Sequence, residues 1–568
     1  MKPASPPQST ELATLQTVLD RLKVDPTLSD RKKRDLSSAI TTLARLRGQP
    51  PSEIPLDLAD IRRTLDAIVP AAAKMSRKRC YNLRSGAAAA IRVSGLRPML
   101  KTKGVRLSRK WAAVLAAADD RVRRGISRFA HWASLHGIEP ESVDDAAIDR
   151  FVAELEQASL VRKLRHVRGT VARAWNALVR LHPDAGLRLV SEPTKKIAPM
   201  QALWKELPPS LPNELDQYLI WAAVPDPLAQ EARAKALSPL SLRLQRTHVR
   251  SAVSAAVAAG IAVAEITSLA RLVEPNTFRT ILGHLWRQDG RKLTAYTQGV
   301  AITLIAIASD WVKAPIETVA TLKSLRSKLG ALPPGLTEKN REMLLRLEDP
   351  RLRGAMLHLP NKLWHSARRR LVTSRSAFVE LQDALAVDLE LHFALRMKNL
   401  SALRFGVHLH WPQGPRKPAL LTLGGDETKN DVPLEFEVPT ALAERLHVYQ
   451  NEIAPAVIGK RPEAVFVTFT GKPRTQAAIS LAMKKTIRRH LGVTMSPHQF
   501  RHLLAQIQLD VNPGSYEQVR QMLGHKNLKT TTGFYAGVNT RRAGRAHAAL
   551  LETLRKPKLG RGRHPRTP

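Results

Sequence analysis

Ser496-Pro497-His498-Gln499-Phe500-Arg501-His502, followed by Leu523-Gly524-His525 and then by Thr531-Thr532-Gly533-Phe534-Tyr535, decides how the other residues are read. This order of groups suits cleavage of a phosphodiester by a tyrosine. A phenol with an ordinary pKa of about 10 is a poor nucleophile, and a DNA phosphate is already an anion. A site for that reaction must therefore neutralise the charge that grows on the phosphoryl oxygens. Two arginines do this, because each guanidinium stays charged and offers a planar fork to two oxygens. The leaving 5′-oxygen also needs a proton, which a histidine or a partly desolvated lysine supplies. The scheme requires no metal and no other cofactor.

Upstream, Arg396 lies in Leu391-His-Phe-Ala-Leu-Arg396-Met-Lys-Asn-Leu-Ser-Ala-Leu-Arg404, an apolar stretch with helical spacing where a charge must point to a ligand or a partner. Lys429 lies in Gly424-Gly-Asp-Glu-Thr-Lys429-Asn-Asp-Val-Pro-Leu, between Ala419 to Leu423 and Val432 to Val438, which read as two strands of a hairpin. With these in place, the C-terminal part resembles the catalytic domain of tyrosine recombinases, the family of phage-type integrases and site-specific recombinases. The family's ordered set of arginine, lysine, histidine-x-x-arginine, histidine and tyrosine falls on Arg396, Lys429, His498, Arg501, His525 and Tyr535.

The resemblance implies that Tyr535 attacks the scissile phosphate, forming a 3′-phosphotyrosyl link and releasing a 5′-hydroxyl. Arg396 and Arg501 would hold the phosphoryl oxygens, and His525 would donate a further hydrogen bond. Lys429 would be the general acid toward the leaving oxygen, with His498 assisting proton transfer or positioning the tyrosine. The covalent bond conserves the phosphodiester energy, so rejoining needs no ATP. In many relatives the tyrosine follows the second histidine by nine positions, which here selects Phe534, whereas Tyr535 stands at ten. Phenylalanine has no nucleophilic oxygen, so Tyr535 is the choice, with the extra residue placed in the turn around Thr530 to Gly533.

Each group has a plainer reading. His498 and Arg501 share one face of a helix that Ser496 caps and Pro497 begins, and alone they would be a solvated pair. Leu523-Gly524-His525 is the end of a helix over Ser515 to Leu523 closed by Gly524. Arg396 alone is an ion-pair partner and Lys429 an ordinary turn lysine. The joint order of six unlike residues favours the functional reading.

Composition agrees. Ninety Lys plus Arg against 49 Asp plus Glu give a formal charge of +41, which favours a polyanionic partner such as double-stranded DNA and salt-dependent binding. Hydrophobic residues make up 43% of 568, enough for several cores. A single cysteine, Cys80, excludes an intramolecular disulfide and argues against a cysteine metal site. The N-terminus lacks a basic-then-apolar signal pattern, and Ser251 to Ala264 is too short to span a membrane. A cytoplasmic, nucleoid-associated protein is expected.

The expected fold is mainly α with a small β-sheet: helical N-terminal DNA-binding modules followed by an α+β tyrosine recombinase catalytic domain. Residues 1–106 read as a helical accessory region, 107–192 as a helical module like the family's core-binding domain, and 193–212 as a proline-rich linker. Residues 213–335 read as a second such module, 336–554 as the catalytic domain and 555–568 as a basic tail. Within the catalytic domain, Ala464 to Phe469 is expected to add a strand beside the hairpin. Relatives pack the segment after the tyrosine into a neighbouring protomer, which implies homotetramers on paired DNA sites, with or without accessory proteins.

Three functional classes follow: a site-specific recombinase or integrase of a mobile genetic element, a type IB topoisomerase-like relaxing enzyme, and an inactive DNA-binding protein on the recombinase scaffold. A metal-dependent nuclease or transposase is weaker, because no spacing singles out a converging carboxylate set.

Overall fold

The computed structural model describes residues 13–102, 104–193, 199–225, 228, 235–333, 335–370, 375–535 and 539–555. The chain forms two compact units, one from residues 1–193 with 335–568 and one from 194–334. No helix of the described residues is long and apolar enough to cross a membrane.

The first unit opens with α1 (Leu15–Val24), α2 (Asp30–Arg47), α3 (Leu58–Ala67) and α4 (Arg77–Ser94). Serine caps begin α2 and α4, and each ends at a left-handed glycine, Gly48 or Gly95, the arrangement that satisfies both ends of a helix. A second bundle follows: α5 (Arg109–Ala117), α6 (Asp120–Leu135), α7 (Asp145–Ala158) and α8 (Val167–Leu181). Its core is aromatic, with the rings of Trp111, Phe129, Trp132, Phe151 and Trp175 in a continuous cluster. The two bundles join through Arg62, 7% exposed, which donates to the carbonyls of Glu156 at 2.6 Å and Ser159 at 2.7 Å, capping the end of α7.

The other unit comprises α9 (Pro199–Glu206), α10 (Ser210–Ala223), α11 (Pro239–Ala258), α12 (Leu269–Val273), α13 (Pro275–Gln288), α14 (Ala295–Ala306) and α15 (Ile316–Ser327). Here the sequence expectation of a linker over 193–212 needs correction, because α9 and the start of α10 occupy 199–212. Leu207, between the two helices, and Leu211, on α10, are buried in this unit's core, so apolar burial prevails over the prolines. Residues 194–198 lie outside the described residues, as does the tail beyond Arg555.

The remainder of the first unit carries α16 (Glu338–Arg346), α17 (Pro350–Leu357), α18 (Leu359–Arg370), α19 (Arg375–Phe393) and α20 (Met397–Ala402). A sheet of β1 (Leu409–His410), β2 (Ala419–Leu423) and β3 (Leu434–Val438) follows, antiparallel in the order β1-β2-β3. Then come α21 (Thr440–Val448), α22 (Ala454–Ile458), α23 (Gln476–Leu491), α24 (His498–Val511), α25 (Tyr516–Leu523), α26 (Leu528–Tyr535) and α27 (Asn539–Arg555). The hairpin is as the sequence indicates, with Leu423 opposite Leu434. The fold class is therefore mainly α with a small sheet.

Two local expectations fail. Ala464 to Phe469 is not a strand. The side-chain amide of Gln382, buried on α19, takes both backbone groups of Val467, donating to its carbonyl at 2.9 Å and accepting its N–H at 3.1 Å. The sheet's third strand is β1, which pairs with β2. The Arg396 stretch is also not one helix: α19 ends at Phe393, Ala394 takes a left-handed φ of 43°, and Arg396 becomes the N-cap of α20.

Helix α19 is the central support of this core and carries a buried acid, Glu390, at 0% exposure with neither carboxylate oxygen hydrogen-bonded. Burial pushes its pKa well above the usual carboxylate range, against the pull of Arg501. An unfolded glutamate loses its proton above pH ~4.5 while the folded one keeps it, so the residue penalises folding increasingly as pH rises from there. We expect Glu390→Met to raise the unfolding free energy by about 1–3 kcal/mol at pH 7, and by less at pH 4. Urea titrations at both pH values check this, and a loss of stability at pH 7 would instead identify the carboxylate as a necessary counter-charge to Arg501.

Candidate active site

The site residues gather at the end of α25. Gly524 closes this helix in the left-handed conformation, and carbonyls at and just past the helix end, where a helix lacks internal partners, accept from side chains of α24, of the β2–β3 turn and of α25 itself. Arg501, on α24 and 5% exposed, donates from Nη2 to the carbonyl of Leu523. Its Nη1 donates to the carbonyl of Ala394 at 2.8 Å, at the break that precedes Arg396. Asn430 donates to the carbonyl of Gly524 at 2.7 Å, and Arg520 to that of His525 at 2.7 Å.

The start of α24 differs by one residue from expectation. Pro497 occupies the cap position and makes no side-chain bond, while Gln499 reaches back so that its Oε1 accepts the Ser496 N–H at 2.7 Å. The half of a capping box that the glutamine supplies is the half used. Gln499 also donates to Asn340 Oδ1 at 3.0 Å, and Asn340 Nδ2 lies 3.2 Å from Nε2 of His502, so α16 braces the helix that bears His498 and Arg501.

His525 lies with Nε2 3.4 Å from Arg501 Nη2 and Nδ1 2.9 Å from the hydroxyl of Thr531. A guanidinium N–H can only donate, so Nε2 accepts in this contact and the ring proton sits on Nδ1, where the Thr531 hydroxyl accepts it. Burial, reinforced by Arg501 and Arg396, pulls the His525 pKa down to about 4. His498 faces solvent at the head of α24, and its pKa is lowered by desolvation and then by Arg501, Arg396 and Lys429. Arg396 is half-buried, and among the described residues its guanidinium has no hydrogen-bond or ion-pair partner. Lys429 is exposed in the β2–β3 turn.

Arg396, Lys429 and Arg501 thus lie within electrostatic reach of His498, and Arg396, Arg501 and His498 within reach of His525, around a patch of positive charge. Tyr535 ends α26, and its side chain lies outside the described residues. One turn earlier on the same helix, the buried Thr531 makes the bond to His525, which ties the tyrosine's helix to the site. Sequence reasoning missed Thr531, Asn340 and Asn430. Thr531 had a signal in its spacing of four before Tyr535; the other two had none.

Residues 366–542 match the model of the phage integrase family. The chain is 29% identical over 156 residues to tyrosine recombinase XerC of Pseudomonas aeruginosa, a stretch covering 27% of this chain and 47% of the relative. It is 34% identical over 76 residues to the XerC of Pseudomonas syringae pv. tomato, covering 13% of this chain and 25% of that one. The chain spans about half the length of the curated relatives it matches best covered. Among solved structures, XerH site-specific recombinase bound to palindromic difH substrate in a post-cleavage complex aligns at 16% identity and a TM-score of 0.38, over 55% of this chain and 80% of that one.

The depressed histidines fix a pH dependence. His502, 5% exposed beside His498 and the ring of Phe534, has its pKa lowered by burial to about 4. An unfolded histidine gains its proton below pH ~6.5 while the folded one stays neutral, so stability falls as pH drops from there toward the folded value. We expect His502→Gln to flatten the fall in unfolding free energy between pH 7 and pH 4 by roughly 1–3 kcal/mol. Denaturant titrations across that range check it, and an unchanged slope would mean that His502 is protonated in the folded protein.

Proposed function

We propose that the chain is a site-specific DNA recombinase of a mobile genetic element, cutting and rejoining DNA through Tyr535, a reading supported by the match of residues 366–542 to the phage integrase family. The observation that carries this reading is the convergence, on the end of one helix, of Arg501, His525 and the helix that ends in Tyr535, with Arg396, unpartnered among the described residues, beside them.

In the reaction, the scissile phosphate occupies the positive patch, where Arg396 and Arg501 take its non-bridging oxygens and offset the charge of the transition state. Once the phosphate draws the Arg501 N–H away from Nε2, His525 donates from Nε2 in the other tautomer, with Nδ1 accepting from the Thr531 hydroxyl. The Tyr535 oxygen bonds to phosphorus at the 3′ side as the bond to the 5′-oxygen breaks. His498, neutral at rest, takes the phenolic proton, and Lys429 gives one to the leaving oxygen. The arginines carry the charge neutralisation, so the scheme calls on neither metal nor ATP. Reversal by an incoming 5′-hydroxyl reseals the strand.

Double-stranded DNA is the proposed partner, and the overall charge of +41 supports electrostatic capture. The helical bundles before the catalytic domain supply further DNA contacts in this reading. Helix α27 leaves Leu550, Leu551 and Leu554 exposed, which supports docking on a neighbouring protomer in a tetramer on paired sites. The protein would act in the cytoplasm at the nucleoid.

Capture of covalently attached DNA under denaturing conditions, from the native host expressing tagged protein, tests the reading. We expect protein-bound 3′ ends at recurring sequences, undiminished in excess chelator and absent for Tyr535→Phe. Binding without any covalent product would favour an inactive DNA-binding protein, and adducts that persist in the variant would point to another tyrosine. Relaxed circles without joined or inverted sites would mean a topoisomerase-like activity.

A further inference from the structure

Lys429 stands between two residues that are fixed from opposite sides. Thr428, 5% exposed, closes the turn on itself: its hydroxyl accepts the Val432 N–H at 3.1 Å and lies 3.1 and 2.9 Å from the carbonyls of Gly425 and Val432. Asn430 reaches outward to the carbonyl of Gly524, the residue directly before His525. Gly524 is held close: a Cβ built on it would lie 3.0 Å from Cδ2 of Leu434, at the start of β3.

The base of the turn is tied as well. The Glu427 carbonyl accepts from Lys398 Nζ and Asn399 Nδ2, each at 3.3 Å, in the helix that Arg396 caps. The Glu427 carboxylate accepts the Gly424 N–H at 2.9 Å and Nε2 of His408 at 2.8 Å. His408 Nδ1 accepts the Arg404 N–H at 3.0 Å, so the ring proton is on Nε2 and points at the carboxylate. The nearby Lys526–Asp431 pair, at 3.5 Å and more than half exposed, adds little.

A lysine that protonates a leaving oxygen must deliver its ammonium to one atom, and its flexible four-carbon stem works against this. Fixing the backbone on both sides leaves only the side chain to be ordered by DNA. Thr428 and Glu427 set the shape of the turn, and the Asn430–Gly524 bond is the directional tie that sets its place relative to His525, beside the Leu434 contact and the exposed Lys526–Asp431 pair.

Resting on the recombinase reading, we propose that Asn430 is a positioning residue for Lys429, latching the lysine turn to the turn that bears His525. The step it serves is the one described above: the Tyr535 oxygen bonds to phosphorus, the bond to the 5′-oxygen breaks, the phenolic proton passes to His498, and the leaving oxygen takes its proton from Lys429. The latch binds no DNA and transfers no proton. It sets the distance between the proton donor and the groups that hold the phosphate.

Two measurements test this. Hydrogen exchange on the free full-length protein reports the latch without DNA: Asn430→Ala is expected to speed amide exchange across residues 424–433 by about tenfold, leaving α19 unchanged. Unaltered exchange in that turn would overturn the proposal. The second uses single-turnover cleavage of a captured target duplex with either oxygen or sulfur at the bridging 5′ position. A thiol of pKa about 8.5 leaves as the thiolate and needs no general acid.

On ordinary DNA, Asn430→Ala is expected to slow cleavage by roughly ten- to a hundredfold, and Lys429→Ala by more. On the sulfur substrate both are expected to come within about threefold of wild type. A defect that persists with sulfur, or no defect with oxygen, would overturn the positioning role. A wild-type protein that cleaves neither duplex would sink the recombinase reading instead, and the exchange measurement would still decide whether the latch exists.

Discussion

One buried guanidinium holds the active-site half of the catalytic domain together. Arg501 sits on α24, yet its bonds run to Ala394 at the end of α19 and to Leu523 at the end of α25. Ala394 lies in the left-handed region, which costs an ordinary residue about 1 kcal/mol or more. A charged donor on its carbonyl offsets that cost. The break it stabilises turns the chain so that Arg396 leaves the buried face of α19 and caps α20 at the surface of the site. Arg501 therefore serves twice, as a phosphate ligand in the proposed reaction and as the brace that places the other arginine.

The same clustering of positive charge explains the state of the histidines. His498, His502 and His525 are all held below the ordinary imidazole range, by burial first and by Arg501 in every case. At neutral pH they are neutral, so each can accept a proton or turn a single N–H toward a ligand. A phosphate entering between the arginines cancels part of their field and favours the protonated form of its neighbours. In the proposed reaction, proton uptake by His498 would then be easiest with DNA bound, coupling the proposed base to its substrate without a moving part.

The chemistry of this site was more legible in the sequence than its framework. Six polar groups in a fixed order pointed to the proposed phosphodiester reaction, because no packing requirement demands that set. The hairpin was equally plain from two β-rich runs about Gly424-Gly425, and Gly524 marked the end of α25. What escaped was set by contacts distant in sequence. Gln382 bonding Val467 removed an expected strand, and Leu207 with Leu211 drew the proline-rich 193–212 stretch into a core. Periodicity across Leu391 to Arg404 promised one helix, since the break at Ala394 depends on Arg501 more than a hundred residues later. Thr531 and Asn430 are ordinary residues until the fold gives them partners.

The end of α25 shows why these partners converge. A helix leaves its final carbonyls unpaired at the negative end of its dipole, where cations and N–H donors bind well. Successive carbonyls of Leu523, Gly524 and His525 receive Arg501, Asn430 and Arg520, and the His525 ring receives Thr531. Three segments that carry site residues, α24, the β2–β3 turn and α26, are thereby indexed to one short helix of eight residues. Relative positions among them depend on that helix end more than on the sheet or on the outer bundles. A shift of α25 moves Arg501, His525, the lysine turn and the tyrosine's helix together, so the geometry of the groups that react in the proposed scheme is preserved or lost as a unit.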